Sequence, residues 1–330
     1  MVTAGQLRGM LLEEAVLHLL QRSGYRTIDE PGDDPTLCTV GAGIAVRGRG
    51  CEHQIDSIAD FLVRQPFSNP QRLFVEAKCY ASESRVGIDV VRNAVGVLKD
   101  ASEYWVSGPM LAPGRSRYHY QYAIFAASEF SAVAQRYAFA QDVHLFPLGR
   151  SSFLRPVLRA IRAIDPLPGQ QELSNIRRDV RAALRHSDAG DVHHRYRSFV
   201  AACLQLNYSL VVVFGGRFPV LLAPSEQLRE RDLPPLMQVR IHWDRNGWYL
   251  RSQRGEDLFS FDLPSELFEL YAEDRYLSAR QALNLKEDVM SDFQAIEVRH
   301  GSPRIIRFVL DQDWIERIRR GTRQRRDRRA

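Results

Sequence analysis

Lysine, cysteine and long apolar runs are all scarce in this 330-residue sequence. Lysine occurs only at Lys78, Lys99 and Lys286, so arginine supplies 42 of the 45 basic residues. The four cysteines include no CxxC pair, which argues against a disulfide framework and favours a reducing, cytoplasmic setting. No run of 18 apolar residues occurs, and the N-terminus lacks a signal-peptide pattern, so we expect neither secretion nor a membrane partner.

Length and charge set broad limits on the protein. A chain of 330 residues with 45% hydrophobic content is long enough for two packed domains. The net charge of +5 and the pI of about 9.1 are compatible with a polyanionic partner. A charge this small does not demonstrate such a partner.

The first 150 residues alternate between helical and strand patterns. Apolar residues recur at helical spacing in the leading segment, and Gly24 follows as a C-cap. The expected elements are a helix at 5–25, strands at 53–63 and 72–80, a helix at 87–105, a strand at 120–128, a helix at 130–143 and a strand at 144–148. This order predicts an α/β sandwich with a central mixed sheet flanked by helices.

The composition changes after residue 150. We expect a first domain at 1–150, a basic helix and linker at 151–169, an α+β, β-rich domain at 170–316 and an Arg-rich tail at 317–330. Asn246-Gly247 predicts a type I′ hairpin turn in the third of these. The tail, too polar to fold alone, is expected to be a disordered basic arm with affinity for phosphate backbone, or a solubilising end.

Two other features of the second half have competing interpretations. Its aromatic residues alternate with polar ones, as in half-buried strands or in a base-stacking surface; they are Trp243, Trp248, Tyr249, Phe259 and Phe261. His193 and His194 are adjacent, but no cysteine or second histidine pair stands at zinc-ligand spacing from them. We interpret both histidines as surface or packing residues.

The strand VEAKCY, at 75–80, carries two opposite charges within an apolar run. Because side chains alternate along a strand, Glu76 and Lys78 share one face. Pairing with the preceding strand would bring Asp56 to the same edge of the sheet. Two carboxylates suit a hard divalent cation such as Mg²⁺, and a nearby ammonium can stabilise negative charge on a reacting phosphate.

Four segments in order give this chain a family resemblance. They are GMLLEEAVLHLLQRSGY, HQIDSIADF, FVEAK and AIFAASEFSAVAQRYAFAQDVHLFPL. In this order they resemble the PD-(D/E)xK nuclease superfamily and, within it, the Mrr-like restriction endonucleases. The resemblance covers residues 5–148 and implies a restriction-endonuclease-like sandwich; the C-terminal half matches no module that we recognise.

The resemblance also implies roles for particular residues. Asp56 and Glu76 would bind Mg²⁺, with Mn²⁺ able to substitute, and the carbonyl of Ala77 would be a further ligand. Lys78 would be the catalytic lysine. The acid of the leading helix would be Glu13, which would bind the metal through water or act as a supporting acid; the adjacent Glu14 is the alternative. The residue before Asp56 is Ile rather than Pro, and Glu76 stands where Mrr proteins often have Gln.

Each of these assignments has an ordinary alternative. Glu76 and Lys78 could be an ion pair on an edge strand, Asp56 a solvated acid at a strand end, and Glu13 a surface residue of an amphipathic helix.

At the level of function, the first expectation is a Mg²⁺-dependent DNA endonuclease of prokaryotic restriction or anti-phage defence, acting as a homodimer or with a partner subunit. A structure-specific resolvase or repair nuclease is the second. A nuclease fold that has lost activity and serves as a DNA-binding or scaffold protein is the third.

Overall fold

The structure is a computed structural model of the whole chain and divides into two compact units, residues 1–207 and 208–330. It describes residues 2–327 except 42, 64–65, 81–83, 105–117, 150, 152, 167–171, 216–217, 230–231, 245–246, 264–286 and 300–301. The helices between residues 150 and 207 therefore belong to the first unit. Part of the expected linker at 151–169 lies outside the described residues.

Seven α-helices have both bounds described. They are α1 Ala4–Arg22, α2 Ile88–Ser102, α3 Ala132–Ala140, α4 Arg155–Arg162, α5 Leu173–His186, α6 His194–Leu204 and α7 Gln312–Asp327. Among the described residues, no helix combines the length and the apolar content that crossing a membrane requires.

Fifteen strands are described. In the first unit they are β1 Tyr25–Ile28, β2 Leu37–Val40, β3 Gly43–Arg47, β4 Glu52–Gln54, β5 Ser57–Phe61, β6 Gln71–Lys78, β7 His119–Ala126 and β8 Val143–Pro147. In the second unit they are β9 Leu210–Phe214, β10 Phe218–Pro224, β11 Leu236–Asp244, β12 Gly247–Arg251, β13 Asp257–Phe261, β14 Asp292–Arg299 and β15 Ser302–Leu310.

The first unit is built on a five-stranded mixed sheet in the order β1-β5-β6-β7-β8. Strands β1, β5 and β6 are antiparallel neighbours, whereas β7 and β8 continue parallel to β6. Helix α1 packs against β1 and β6, while α2 packs against β7 and α3 against β8. The mixed sheet with helices that the sequence predicts is thus confirmed, and β6, which carries VEAK, is its central strand.

The predicted strand at 53–63 is in fact two strands with a bend between them. Residues 52–54 form β4, which joins β2 and β3 in a separate three-stranded sheet, and β5 begins only at Ser57. Asp56 lies at the bend, immediately before β5. Alternation of side chains was the signal for one continuous strand, and it carried no information about where the chain changes from one sheet to the other.

Helix α1 begins at a capping box and ends shortly before a glycine. The Thr3 hydroxyl accepts a hydrogen bond from the Gln6 amide at 3.2 Å, and the Gln6 side chain accepts one from the Thr3 amide at 3.0 Å. This capping box satisfies two amides that the helix itself leaves unpaired. Gly24 follows the helix at φ 87°, a conformation that strongly favours glycine.

A buried arginine joins the sheet to the loop that precedes β2. The side chain of Arg72 is 1% exposed and donates to Asp60 at 2.7 Å and to Asp34 at 2.7 Å. Its guanidinium also donates to the Thr36 hydroxyl at 2.8 Å and lies 3.6 Å from the centre of the Tyr118 ring. Every face of this buried cation is therefore occupied by an acid, a hydroxyl or a ring.

The second unit is β-rich, as expected, and its seven strands close into a barrel in the order β10-β13-β12-β11-β15-β14-β9. Phe259 and Phe261 are buried in its core, whereas Trp243 is 60% exposed. Strands β11 and β12 pair as an antiparallel hairpin from Asp244 opposite Gly247. Asn246, of the predicted turn, lies outside the described residues.

The Arg-rich tail is helical as far as Asp327, in contrast to the disordered arm that was one of its two expected forms; the other, a solubilising end, stays a prediction. Helix α7 runs to Asp327, and its first part buries Ile315 in the core of the second unit. The tail continues α7, whose N-terminal part is packed in the core of the second unit. The polar composition of the tail does not reveal this. Residues 328–330 lie outside the described part of the chain.

Candidate active site

Asp56 is held beside the end of β6 by a backbone hydrogen bond. Its carboxylate accepts from the Ala77 amide at 2.9 Å. Ser57 pairs with Val75 in the antiparallel β5–β6 ladder, so Asp56 lies one step beyond the last pair, opposite Glu76. Burial raises the pKa of Asp56 above its usual value; the Ala77 amide and Lys78 oppose that shift, and the charge of Glu76 adds to it.

Glu76 and Lys78 form a close ion pair on the central strand. The Lys78 Nζ lies 2.5 Å from a Glu76 carboxylate oxygen, and the two side chains are 25% and 13% exposed. The Tyr122 hydroxyl donates to the other oxygen of Glu76 at 2.9 Å. Burial lowers the pKa of Lys78, but Glu76 and Asp56 raise it by more, so the ammonium stays charged near neutral pH. Glu76 and Lys78 thus form an ion pair, but they lie on the central strand of the sheet and not on an edge strand.

The structure distinguishes the two acids of the leading helix. Glu14 is 2% exposed and accepts two hydrogen bonds from Arg181 on α5, at 2.7 and 2.9 Å. Glu13 instead lines a cleft together with Asp56. Burial raises the pKa of Glu13 to about 7, with Arg177 opposing the shift and Asp56 adding to it. Glu13 is therefore the helix acid that shares an environment with Asp56.

The cleft has a volume of about 480 Å³ and one basic wall. Arg177 and Arg181 of α5 line it, and the Arg177 guanidinium donates to Glu13 at 2.5 Å. Glu76 and Lys78 are not among the described residues that line it. The two arginines escaped the sequence analysis, although their four-residue spacing on one helix face was a usable signal.

The carboxylate oxygens of Glu13, Asp56 and Glu76 are ligands of the kind that a divalent cation binds. Glu13, Asp56 and Glu76 offer only carboxylate oxygens, and burial, to which a neighbouring carboxylate adds, raises the pKa of Glu13 and of Asp56. Within the described part of the chain, these acids do not bring three ligand atoms within 4.8 Å of one another. Two direct carboxylates with waters are nevertheless a normal Mg²⁺ site.

Comparison with known proteins gives distant structural likenesses. No family model and no curated protein matches the chain. A protein of unknown function, AF1548, matches with a TM-score of 0.34 and 17% identity over 60% of this chain and 97% of its own.

Two restriction enzymes are also similar at this distance. The DNA modification-dependent restriction endonuclease AspBHI matches with a TM-score of 0.24 and 17% identity over 42% of this chain and 27% of its own. The restriction endonuclease MspJI, in complex with a 27-mer oligonucleotide, gives 0.28 and 16% over 58% of this chain and 34% of its own. The chain thus spans about a third or less of either enzyme.

The raised pKa of Glu13 predicts a pH-dependent cost to stability. The pKa of Glu13 is about 7 in the folded protein and 4.5 in the unfolded chain. Its protonated form therefore contributes fully to the free energy of unfolding below pH 4.5, and this contribution is lost as the pH rises towards 7. We expect Glu13→Gln to stabilise the first unit by up to about 3 kcal/mol at pH 8, and by little at pH 4.5. Calorimetric unfolding at the two pH values measures this difference.

The matched control is Glu103→Gln, which removes an exposed carboxylate paired with Arg49. Its effect is expected to stay within about 0.5 kcal/mol at both pH values. A Glu13→Gln protein that is no more stable than the wild type at pH 8 would show that burial does not raise the pKa of Glu13 in the fold.

Proposed function

We propose that the first unit is a metal-dependent DNA endonuclease of the PD-(D/E)xK superfamily, related to the Mrr-like restriction endonucleases. The sequence resemblance supports the class, and one geometric observation carries the proposal. Asp56 comes just before β5 and bonds the Ala77 amide, which lies between Glu76 and Lys78 at the end of β6. The Asp56 carboxylate and the Glu76–Lys78 pair, which come from two separate segments, thus lie at the same end of the antiparallel β5–β6 pair.

The proposed roles follow from the chemistry of each group. Asp56 and Glu76 would hold a Mg²⁺ ion, with the carbonyl of Ala77 as a further ligand. When bound, the ion would lower the pKa of a coordinated water and offset negative charge on the phosphate. Lys78, charged and partly buried, would stabilise the negative charge that develops there. Glu13, with a pKa of about 7, can hold or release a proton near neutral pH.

The arginines of α5 add a phosphate-binding wall to this arrangement. Arg177 lines the cleft with Glu13 and Asp56, and its charge reaches Asp56. A guanidinium can donate to two oxygens of a phosphate at once. The Arg177 side chain is 36% exposed, so its guanidinium can release Glu13 and bind a phosphate instead.

Lys78 offers a specific test because this chain almost always uses arginine as its cation. Arg is larger, flat and permanently charged, whereas a Lys ammonium is a compact point charge. We expect Lys78→Arg to lower the rate of plasmid nicking in Mg²⁺ by roughly 100-fold, about 2.7 kcal/mol of transition-state stabilisation. Lys99→Arg, on the exposed side of α2, is the matched control and should cleave like the wild type.

The same assay tests the metal. Cleavage of plasmid and phage DNA should require Mg²⁺ or Mn²⁺ and should stop in EDTA. Activity that persists in EDTA would exclude the proposed chemistry. If no DNA is cut, calorimetric titration with Mn²⁺ distinguishes the inactive scaffold, because a fold without a metal site shows no binding that depends on Asp56 and Glu76.

A panel of substrates separates restriction from repair. Linear duplex, modified duplex, flaps and four-way junctions, compared at equal concentration, report which DNA structure the cleft accepts. Preference for junctions over duplexes by more than about tenfold would favour the structure-specific nuclease.

A further inference from the structure

A cluster of three different metal-binding side chains lies where the β3–β4 hairpin meets α2. The imidazole of His53 lies 2.7 Å from the Asp100 carboxylate, measured from Nε2 to Oδ2. The Sγ of Cys51 is 3.6 Å from the same Nε2. Among the described residues, this is the one group in which at least three histidine, cysteine or acidic ligand atoms all lie within 4.8 Å of one another.

We propose that Cys51, His53 and Asp100 form a zinc site that is separate from the proposed nuclease centre. Thiolate, imidazole and carboxylate are all zinc ligands, and bonds of about 2.0–2.3 Å on a tetrahedron place ligand atoms roughly 3.3–3.7 Å apart. The measured separation of Sγ and Nε2 already falls in that range. The His53–Asp100 contact is shorter because the two atoms share a hydrogen bond, which the ion would replace.

Backbone amides hydrogen-bond to the Asp100 carboxylate and fix its orientation, as outer groups commonly do for a metal ligand. The amide of Gly50 donates to its Oδ1 at 2.8 Å, and the amide of Cys51 donates to its Oδ2 at 3.3 Å. A Cβ at position 48 would lie 1.9 Å from Oδ2, so glycine is needed there for the carboxylate to approach. Outer hydrogen bonds of this kind orient a ligand before the ion arrives.

Three protein ligands leave a fourth position for water or another ligand. Cys51 is exposed, and the side chains of His53 and Asp100 are 19% and 24% exposed, so an ion can enter from solvent. A hydrolase with a cysteine nucleophile is the competing interpretation of the three residues. The amides of Gly50 and Cys51 argue against it, because both donate to Asp100 and neither is left to bind an oxyanion.

The consequence of metal binding would reach the neighbouring segment. Asp100 belongs to α2, whereas Cys51 and His53 belong to the β3–β4 turn and to β4, which leads through Ile55 to Asp56. An ion that joins them would tie this hairpin to α2 and restrain the segment before Asp56. The test of this site needs no nuclease activity.

The test is a titration of the metal-free, full-length protein with Co²⁺, which reports zinc sites by absorption. We expect one equivalent to give a thiolate-to-cobalt charge-transfer band, and Zn²⁺ to displace it. Cys51→Ser should abolish the band, and His53→Gln should weaken binding by roughly 10- to 100-fold. Hydrogen exchange of the amides at 43–56 should slow when Zn²⁺ is bound.

Two controls assign the result to this site. Cys79→Ser alters another partly exposed cysteine and should keep the band, and Asp56→Asn should keep it too. A wild-type protein without a thiolate band, or a band that survives Cys51→Ser, would overturn the proposal and leave the cluster as a hydrogen-bonded turn. A band that disappears in Cys79→Ser would place the ion elsewhere.

Discussion

Asp56→Asn is expected to reduce Mg²⁺-dependent DNA cleavage by about 10³-fold or more. The substitution removes the negative charge of one of the two carboxylates proposed to hold the cation, and about 4 kcal/mol of transition-state stabilisation corresponds to a thousandfold loss. Asparagine keeps an oxygen that can still accept from the Ala77 amide, so the bend before β5 is retained. Single-turnover cleavage of labelled duplex measures the chemical step.

The control for this variant is Asp179→Asn, because Asp179 is an acid of α5 whose side chain is 47% exposed. It should cleave at the wild-type rate. Calorimetric titration with Mn²⁺ should show weaker binding by Asp56→Asn and unchanged binding by Asp179→Asn. Wild-type cleavage by Asp56→Asn would remove the central residue of the proposed nuclease site and, with it, the proposed mechanism.

Arg72→Met is expected to destabilise the first unit by about 3–5 kcal/mol. The substitution removes the buried cation that both Asp34 and Asp60 bind, and it leaves two partly buried carboxylates without their shared charge partner. Methionine fills similar space, so the loss measures the charge rather than a cavity. Hydrogen exchange of β5 and β6 amides reports this unit, and β14 and β15 amides serve as an internal reference.

Arg26→Met is the matched control. Arg26 also pairs with Asp60, at 3.5 Å, but its side chain is 70% exposed. Solvent screens such a pair, so the expected loss is below about 1 kcal/mol. Equal losses from the two variants would mean that burial of Arg72 does not determine its contribution.

The local sequence was enough to predict most elements of the first unit. Helix α1 follows from its apolar spacing and from Gly24, and β6 and β7 follow from continuous apolar runs. The break between β4 and β5 could not be predicted, because both strands are extended and their separation depends on which neighbours they pair with. The same reason hides the small sheet that β4 joins.

The candidate site divides in the same way. VEAK and the acid before β5 were found because charged residues stand out in apolar strands. The choice between Glu13 and Glu14 was open, since neighbouring residues on a helix differ in direction by about 100°, and burial by another element decides which is covered. Arg177 and Arg181, more than 160 residues later, are that other element, through bonds to Glu13 and Glu14.

By itself, then, the sequence determined most of the succession of helices and strands, the β-rich second half and the residue types able to hold a hard cation. Only the tertiary structure decided that Asp56 bonds the Ala77 amide, that Glu13 rather than Glu14 faces the cleft, and that His53 meets Asp100. The physical reason is that hydrophobic periodicity is a property of neighbours along the chain. Contacts between distant charged groups depend on how whole elements pack, and no local pattern encodes them.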